Sequence, residues 1–269
     1  MKQIINYTDQ ELKDLVKKIV KDGQVVLYEQ KMTMNQYAGV LTRIGEVEEL
    51  DYFMNPKEER RLSYVGKNYL FGDTELLWHA NGTGRYNFKE ICVGLYCVYE
   101  CIDTVLSINN NCNAFAGLSE EKKNYYRSLD IGLNNSGPRA KLWPDDSDYE
   151  SHGEHTFRVG QEHYKENVDR RPLVGIHPFD GREYIYFMVP YIDKAYNKKD
   201  GKEIEDFEKF YKTLWDDVIK SKYQYHHVFK KGDLLLMDQL NTIHRRSPIK
   251  DKDRMLWRTA FSYSNIKND

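Results

Sequence analysis

Residues 230–263 read KKGDLLLMDQLNTIHRRSPIKDKDRMLWRTAFSY. A run of large aliphatic residues, GDLLLMD, reads as a strand, and a polar turn with Asn241 and His244 follows it. A second strand then carries Arg254 and Arg258. Four residues is an even interval on a chain whose side chains alternate, so both guanidinium groups project from one face. Two cations so placed either form ordinary ion pairs or converge on an anion, which an arginine clamps through two parallel hydrogen bonds.

Working outward, β-branched and aromatic segments dominate from about residue 91: ICVGLYCVY, DTVLSI, HTFRVG, RPLVGIH, EYIYFMV, YHHVF, DLLLM and LWRTAFSYS. Most are bounded by Gly, Pro, Asn or Asp, the residues that end strands. Helical spacing interrupts this near 118–130 and again near 204–221, where Phe207, Phe210, Tyr211, Leu214, Trp215 and Val218 fall on one face. The N-terminal part reads helix, strand, helix. Thr8 to Glu11 forms a capping box ahead of an apolar stripe that stops at Gly23, GQVVLYEQ is a strand, and Thr33 to Gln36 opens a helix ending near Gly45. Many strands with few helices predict a mainly β fold, a barrel or jelly roll with peripheral helices. Residues 132–170 carry little periodicity and are long for a connection, which predicts a lid over a site. The polar stretch 194–206 reads as a solvated turn before its helix.

The 269 residues, 40% hydrophobic and with no linker-like tract, predict one domain spanning 1–269. Forty basic residues against 42 acidic ones leave a net charge of −2, without the excess that a phosphate backbone demands, so nucleic acid is not an expected partner. The longest apolar run, at 91–99, is too short to span a bilayer, and the N-terminus lacks the pattern of a signal peptide. The expectation is a cytoplasmic protein without a membrane partner, with a homo-oligomer left open. Cys92, Cys97, Cys101 and Cys112 match neither a CxxC pair nor a secreted disulfide framework and read as buried thiols.

Most of the eight histidines read as structural. His177 lies in LVGIHPF, and His226 and His227 alternate across a strand. His152, His155 and His163 sit in the 132–170 loop at spacings that match no established zinc pattern. No GxSxG elbow supports acyl transfer, and the GTG at 82–84 lacks the helix pattern or Lys-Ser pair of a phosphate loop. What remains is LLWHANGT at 76–83 together with the segment that holds His244. Two separated histidines with inward-facing arginines suit iron bound by neutral imidazoles, with open positions for a chelating cosubstrate and dioxygen.

Taken together, DGQVVLYEQ, WHANGT, IDTVLSINNNCNAFAGLSEEKKNYY, RPLVGIHPFDGREYIYF, GDLLLMDQLNTIHRRSP and RMLWRTAF resemble, in the same order, the taurine dioxygenase-like (TauD/TfdA) family of Fe(II) and 2-oxoglutarate dependent oxygenases. The resemblance implies a double-stranded β-helix, the cupin-like jelly roll, using Fe(II), 2-oxoglutarate and O2. It implies iron held by His79, the residue at 81 and His244. It places Thr104 and Arg254 on 2-oxoglutarate, and Arg258 and Glu75 near the substrate. Position 81, where the family usually has aspartate, holds Asn81. An amide oxygen can ligate iron but brings no charge. The implied activity is hydroxylation of a small anionic or zwitterionic, amino-acid-like metabolite. The alternatives are a non-catalytic binding protein on the same scaffold or, less in keeping with a side chain as large as Asn81, a radical halogenase. The Asn81-Gly82 pair also invites deamidation to aspartate.

Overall fold

The computed structural model describes residues 2–47, 49, 56, 58–67, 72–81, 91–100, 102–133, 169–188, 191–250 and 253–266. After a 3-10 turn at Ile4–Asn6 comes α1 (Asp9–Asp22), whose Thr8 hydroxyl and Glu11 carboxylate cap each other's backbone N–H, and which ends at Gly23 in the left-handed conformation, φ 87°. There follow β1 (Gln24–Leu27) and α2 (Met34–Ile44), the latter under a second capping box from Thr33 and Gln36. Both helices thus begin where their capping signals predict.

The remaining strands are β2 (Ser63–Val65), β3 (Leu76–His79), β4 (Cys92–Tyr99), β5 (Val105–Asn110), β6 (Leu129–Leu133), β7 (Asp169–Pro172), β8 (Val174–Ile176), β9 (Glu183–Ile185), β10 (Ile192–Asn197), β11 (Gln224–Val228), β12 (Leu234–Asp238), β13 (Thr242–Arg246) and β14 (Met255–Phe261). Helices α3 (Asn111–Ala116), α4 (Glu120–Arg127) and α5 (Phe207–Val218) lie among them. Two antiparallel sheets carry the architecture, ordered β1-β12-β4-β14-β2 and β11-β5-β13-β3, with β10-β6-β7 and β8-β9 as smaller sheets. This is the jelly roll that the abundance of strands predicts.

Alternation explains how the layers pack. In β12 every residue is buried, yet Leu235 and Met237 enter the core between the two large sheets while Leu234 and Leu236 face the helical layer. The inter-sheet core adds Val93, Leu95, Leu106, Ile108, Leu256 and Ala260. Helices α1 and α2 cover the outer face of the five-stranded sheet through Leu12, Val16, Ile19, Tyr37, Leu41 and Ile44. A third cluster joins Trp78 and Ile243, on the outer face of the four-stranded sheet, to α3, α5 and the strands β6 and β10.

Several sequence expectations need correcting. The stretch expected to be a solvated turn from 194 includes most of β10, which pairs with β6 and buries Ile192 and Ala195. The 132–170 loop is shorter than expected at both ends, because Gly132 and Leu133 belong to β6 and Asp169 and Arg170 to β7, paired with each other. Residues 134–168, with His152, His155, His163 and HTFRVG, lie outside the described residues, as do Cys101 and Gly82 to Gly84. Cys92, Cys97 and Cys112 are buried free thiols, as read from their spacing. Among the described residues, no helix is long and apolar enough to cross a membrane.

Candidate active site

The site forms where β3 meets β13. These strands pair antiparallel with His79 directly opposite His244, so two residues far apart in sequence become cross-strand neighbours with ring centroids 4.3 Å apart. Both point between the two large sheets. On β13, Ile243 faces the outer cluster, and its neighbour His244 therefore faces inward.

Each ring is held as a neutral imidazole. His79 is 2% exposed and is pushed down to about 4, mainly by burial, with the charges of Arg246 and Arg258 adding to the effect. Burial lowers His244 well below the usual range, and His79 and Arg258 lower it further. The Leu77 carbonyl lies 2.6 Å from His79 Nδ1, so that nitrogen carries the proton and Nε2 keeps its lone pair. His244 Nδ1 is buried without a hydrogen-bond partner among the described residues. Neutral rings, one with a fixed tautomer and the other with an orphaned buried nitrogen, are the donors that a divalent metal requires. The residues present therefore fit a metal ion.

Asn81 lies just beyond β3, half-buried, with its side chain within hydrogen-bonding reach of His79. Its backbone N–H donates to Gln239 Oε1 at 2.8 Å. Among the described residues no group of three His, Cys, Asp or Glu side chains could hold a metal, as follows from an amide at position 81.

Two buried cations act on the histidine pair, and a third neighbours one of them. Arg258 is 6% exposed and stands on β14 between Leu256 and Ala260, both of the inter-sheet core, and its charge bears on both rings. Arg254, 2% exposed, precedes β14 by one residue rather than lying on the strand as read from the sequence, and the ladder is irregular at Met255–Leu256; its guanidinium is 6.0 Å from the centre of the Phe229 ring, which belongs to the inter-sheet core. A third buried arginine, Arg246, follows His244 by two residues and so shares its face, and it donates to the Thr74 carbonyl. Burial and the Arg254 charge bring Arg246 down to about 9, still cationic at neutral pH. Thr104 is buried one residue before β5, its hydroxyl donating to the Pro248 carbonyl at 3.3 Å. Glu75 is half-buried, one residue before β3.

The structure thus gathers His79, Asn81, His244 and Arg258, and sets Arg254 beside Arg246. Arg246 went unread in the sequence, although its even spacing from His244 was a usable signal. Gln239 gave none, because its contact crosses 158 positions. His177, read as structural, is fully buried with Nε2 3.0 Å from Asp238 Oδ2, and Tyr263 donates to the same oxygen at 2.9 Å. Asp238 Oδ1 accepts the N–H of Leu240 and of Asn241, at 2.8 and 2.9 Å, so this buried carboxylate fixes the turn that leads to His244.

A pH effect follows for the metal-free protein. An imidazole near 6.5 in the unfolded chain and about 4 in the fold leaves the unfolded state binding more protons between those values. Stability is then full above pH 6.5 and falls as pH drops towards 4, by about 3 kcal/mol for His79 alone. Urea midpoints measured across this range check the sign: native protein should lose more stability on acidification than His79→Phe.

The family profile described as "Taurine catabolism dioxygenase TauD, TfdA family" matches residues 3–260. The chain belongs to this family, whose members are 2-oxoglutarate-dependent dioxygenases, oxidoreductases using Fe(II), 2-oxoglutarate and O2. Among solved structures it is similar to a putative alpha-ketoglutarate-dependent taurine dioxygenase from Burkholderia xenovorans, at TM-score 0.72 and 17% identity over 97% of this chain and 84% of that one. A second taurine dioxygenase from Burkholderia xenovorans gives TM-score 0.70 at 17% identity, covering 97% and 83% of the two chains. AAD-2, solved with Mn(II) and the 2-oxoglutarate analogue N-oxalylglycine, gives 0.71 at 17% identity, covering 97% and 91%. No curated protein sequence matches the chain.

Proposed function

We propose that this protein is an Fe(II) and 2-oxoglutarate dependent hydroxylase of a small anionic or zwitterionic, amino-acid-like metabolite. The observation that carries this reading is the pairing of two neutral imidazoles, His79 against His244, with the buried Arg258 acting on both and the buried Arg246 on His79. His79, His244 and the Asn81 side-chain oxygen would hold the iron. Thr104 and Arg254 would bind 2-oxoglutarate, the arginine through its fork on the far carboxylate. When bound, the iron supplies the coupling of 2-oxoglutarate decarboxylation to C–H oxidation, with succinate and carbon dioxide released.

The protein's own work is placement. Arg258 sits between the sheets, where an anionic group of the substrate can reach it, and its charge adds to the burial that keeps both histidines neutral. Glu75 offers a carboxylate to an ammonium group. An anion for Arg258 and a cation for Glu75 together select a zwitterion. The apolar side chains of the inter-sheet core exclude water from the same space.

The test is an anaerobic titration with Fe(II) and 2-oxoglutarate, followed through the visible charge-transfer band, and then succinate release against small anions and zwitterions. Growth of the band with substrate-dependent succinate supports the reading. Glu75→Gln should raise KM for a zwitterionic substrate about tenfold and leave kcat nearly unchanged, as expected for a pure binding contact. Asn81 favours one second reading, a binding protein on this scaffold, which would take up 2-oxoglutarate yet release no succinate with any substrate. A chlorinated product would instead mark a halogenase.

A further inference from the structure

The turn between β12 and β13 carries a buried amide that the reading above leaves without a role. Gln239 is 1% exposed. Its backbone N–H donates to the Ile91 carbonyl at 2.7 Å, and its side-chain Oε1 accepts the backbone N–H of Asn81 at 2.8 Å. The Asn81 N–H can only donate, so the oxygen end of the amide faces it and Nε2 is the other end. Nε2 is buried and meets no acceptor among the described residues. A buried donor left in this state is unusual and marks the side chain as held for its oxygen end.

The turn that carries Gln239 is itself anchored. Asp238 holds it through the N–H groups of Leu240 and Asn241 and is held in turn by His177 and Tyr263. Gln239 therefore joins a fixed turn to the chain just beyond the last ladder pair of β3, His79 with His244. Past that pair the strand ends, and no further rung of the ladder orients Asn81.

We propose that Gln239 is a positioning residue that sets Asn81 for metal binding. The proposal rests on the reading that Asn81 is a metal ligand. A carboxylate at position 81 would be drawn into place by the metal's charge. A neutral amide feels a weaker pull, so the fold has to orient it beforehand. The hydrogen bond from the Asn81 backbone N–H to the Gln239 side-chain oxygen does this.

The test measures Mn(II) affinity by equilibrium dialysis and the hydrogen exchange of the Asn81 amide in the full chain. Gln239→Leu should bind Mn(II) about ten- to hundredfold more weakly, the usual effect of losing a residue that orients a ligand. Its Asn81 amide should exchange at least about tenfold faster, as expected once a protecting hydrogen bond is lost. Gln239→Glu keeps an acceptor for the Asn81 N–H and should restore both slow exchange and at least native affinity, which a role in folding alone would not produce. Gln239→Asn keeps the amide but shortens its reach, and should behave as Leu does. Should the Leu variant fail to fold, the Asn and Glu variants carry the comparison. Native chain that binds Mn(II) while Gln239→Leu and Gln239→Asn bind equally well overturns this inference alone. Native chain that takes up no Mn(II) overturns the metal-site reading and this inference with it.

Discussion

Asn81→Asp is expected to bind Mn(II) about ten- to hundredfold more tightly than the native chain. The substitution replaces an amide NH2 by an oxygen and adds one negative charge at a half-buried position next to His79. A carboxylate against a divalent cation gains several kcal/mol even at an effective dielectric of about 20. The cost of dehydrating it offsets much of that, leaving about 1–3 kcal/mol. The buried arginines add to the preference, since Arg246 and Arg258 both bear on the site and favour any added negative charge. Equilibrium dialysis with both proteins checks the prediction, and equal affinities would place residue 81 outside the metal's reach. Peptide mapping of the native protein belongs beside it, because deamidation at Asn81-Gly82 would produce the same aspartate, and fully intact Asn81 would remove that route.

Arg254→Met is expected to lower 2-oxoglutarate affinity by roughly thirtyfold or more. Removing one partner of a buried charge pair costs about 2–5 kcal/mol, chiefly because the other charge is left buried. Methionine fills much of the arginine stem's volume beside Phe229, and thermal unfolding of each variant beside the native chain separates a lost binding contact from a lost fold. Arg254→Lys keeps the charge without the planar fork and should fall between the two. Calorimetric titration of 2-oxoglutarate into the Mn(II)-loaded protein provides the measurement. Affinity unchanged in both variants would move the cosubstrate away from Arg254, with Arg246 the neighbouring buried cation to examine next.

Arginines at 254, 258 and 246 show how far a sequence can be read. Strand alternation is a local property, so the rule applied to His244 finds Arg246 on its face, whereas Arg254 precedes β14 and reaches the inter-sheet core beside Phe229 outside the ladder that the four-residue interval assumed. The capping boxes at Thr8 and Thr33 are equally legible, because a cap is made by residues three apart. Where tertiary pairing overrides local polarity, the sequence misleads. Ile192 to Asn197 is a strand because β6 lies beside it, although its lysine and asparagine read as a turn.

The histidine pair divides in the same way. Motif order identifies His79 and His244, and the chemistry of neutral imidazoles gives the reason to pair them. Their register, their burial and the resulting loss of basicity require β3 to lie against β13. Alternation and capping follow from contacts between near neighbours, so the sequence alone determined the mainly β class, and the order of its motifs carried the resemblance to the family that singles out the two histidines. Gln239 on Asn81, Asp238 under His177 and Tyr263, and the convergence of three arginines depend on which distant segments meet. Only the tertiary structure decided those, because burial and long-range hydrogen bonds come into being when the chain closes on itself.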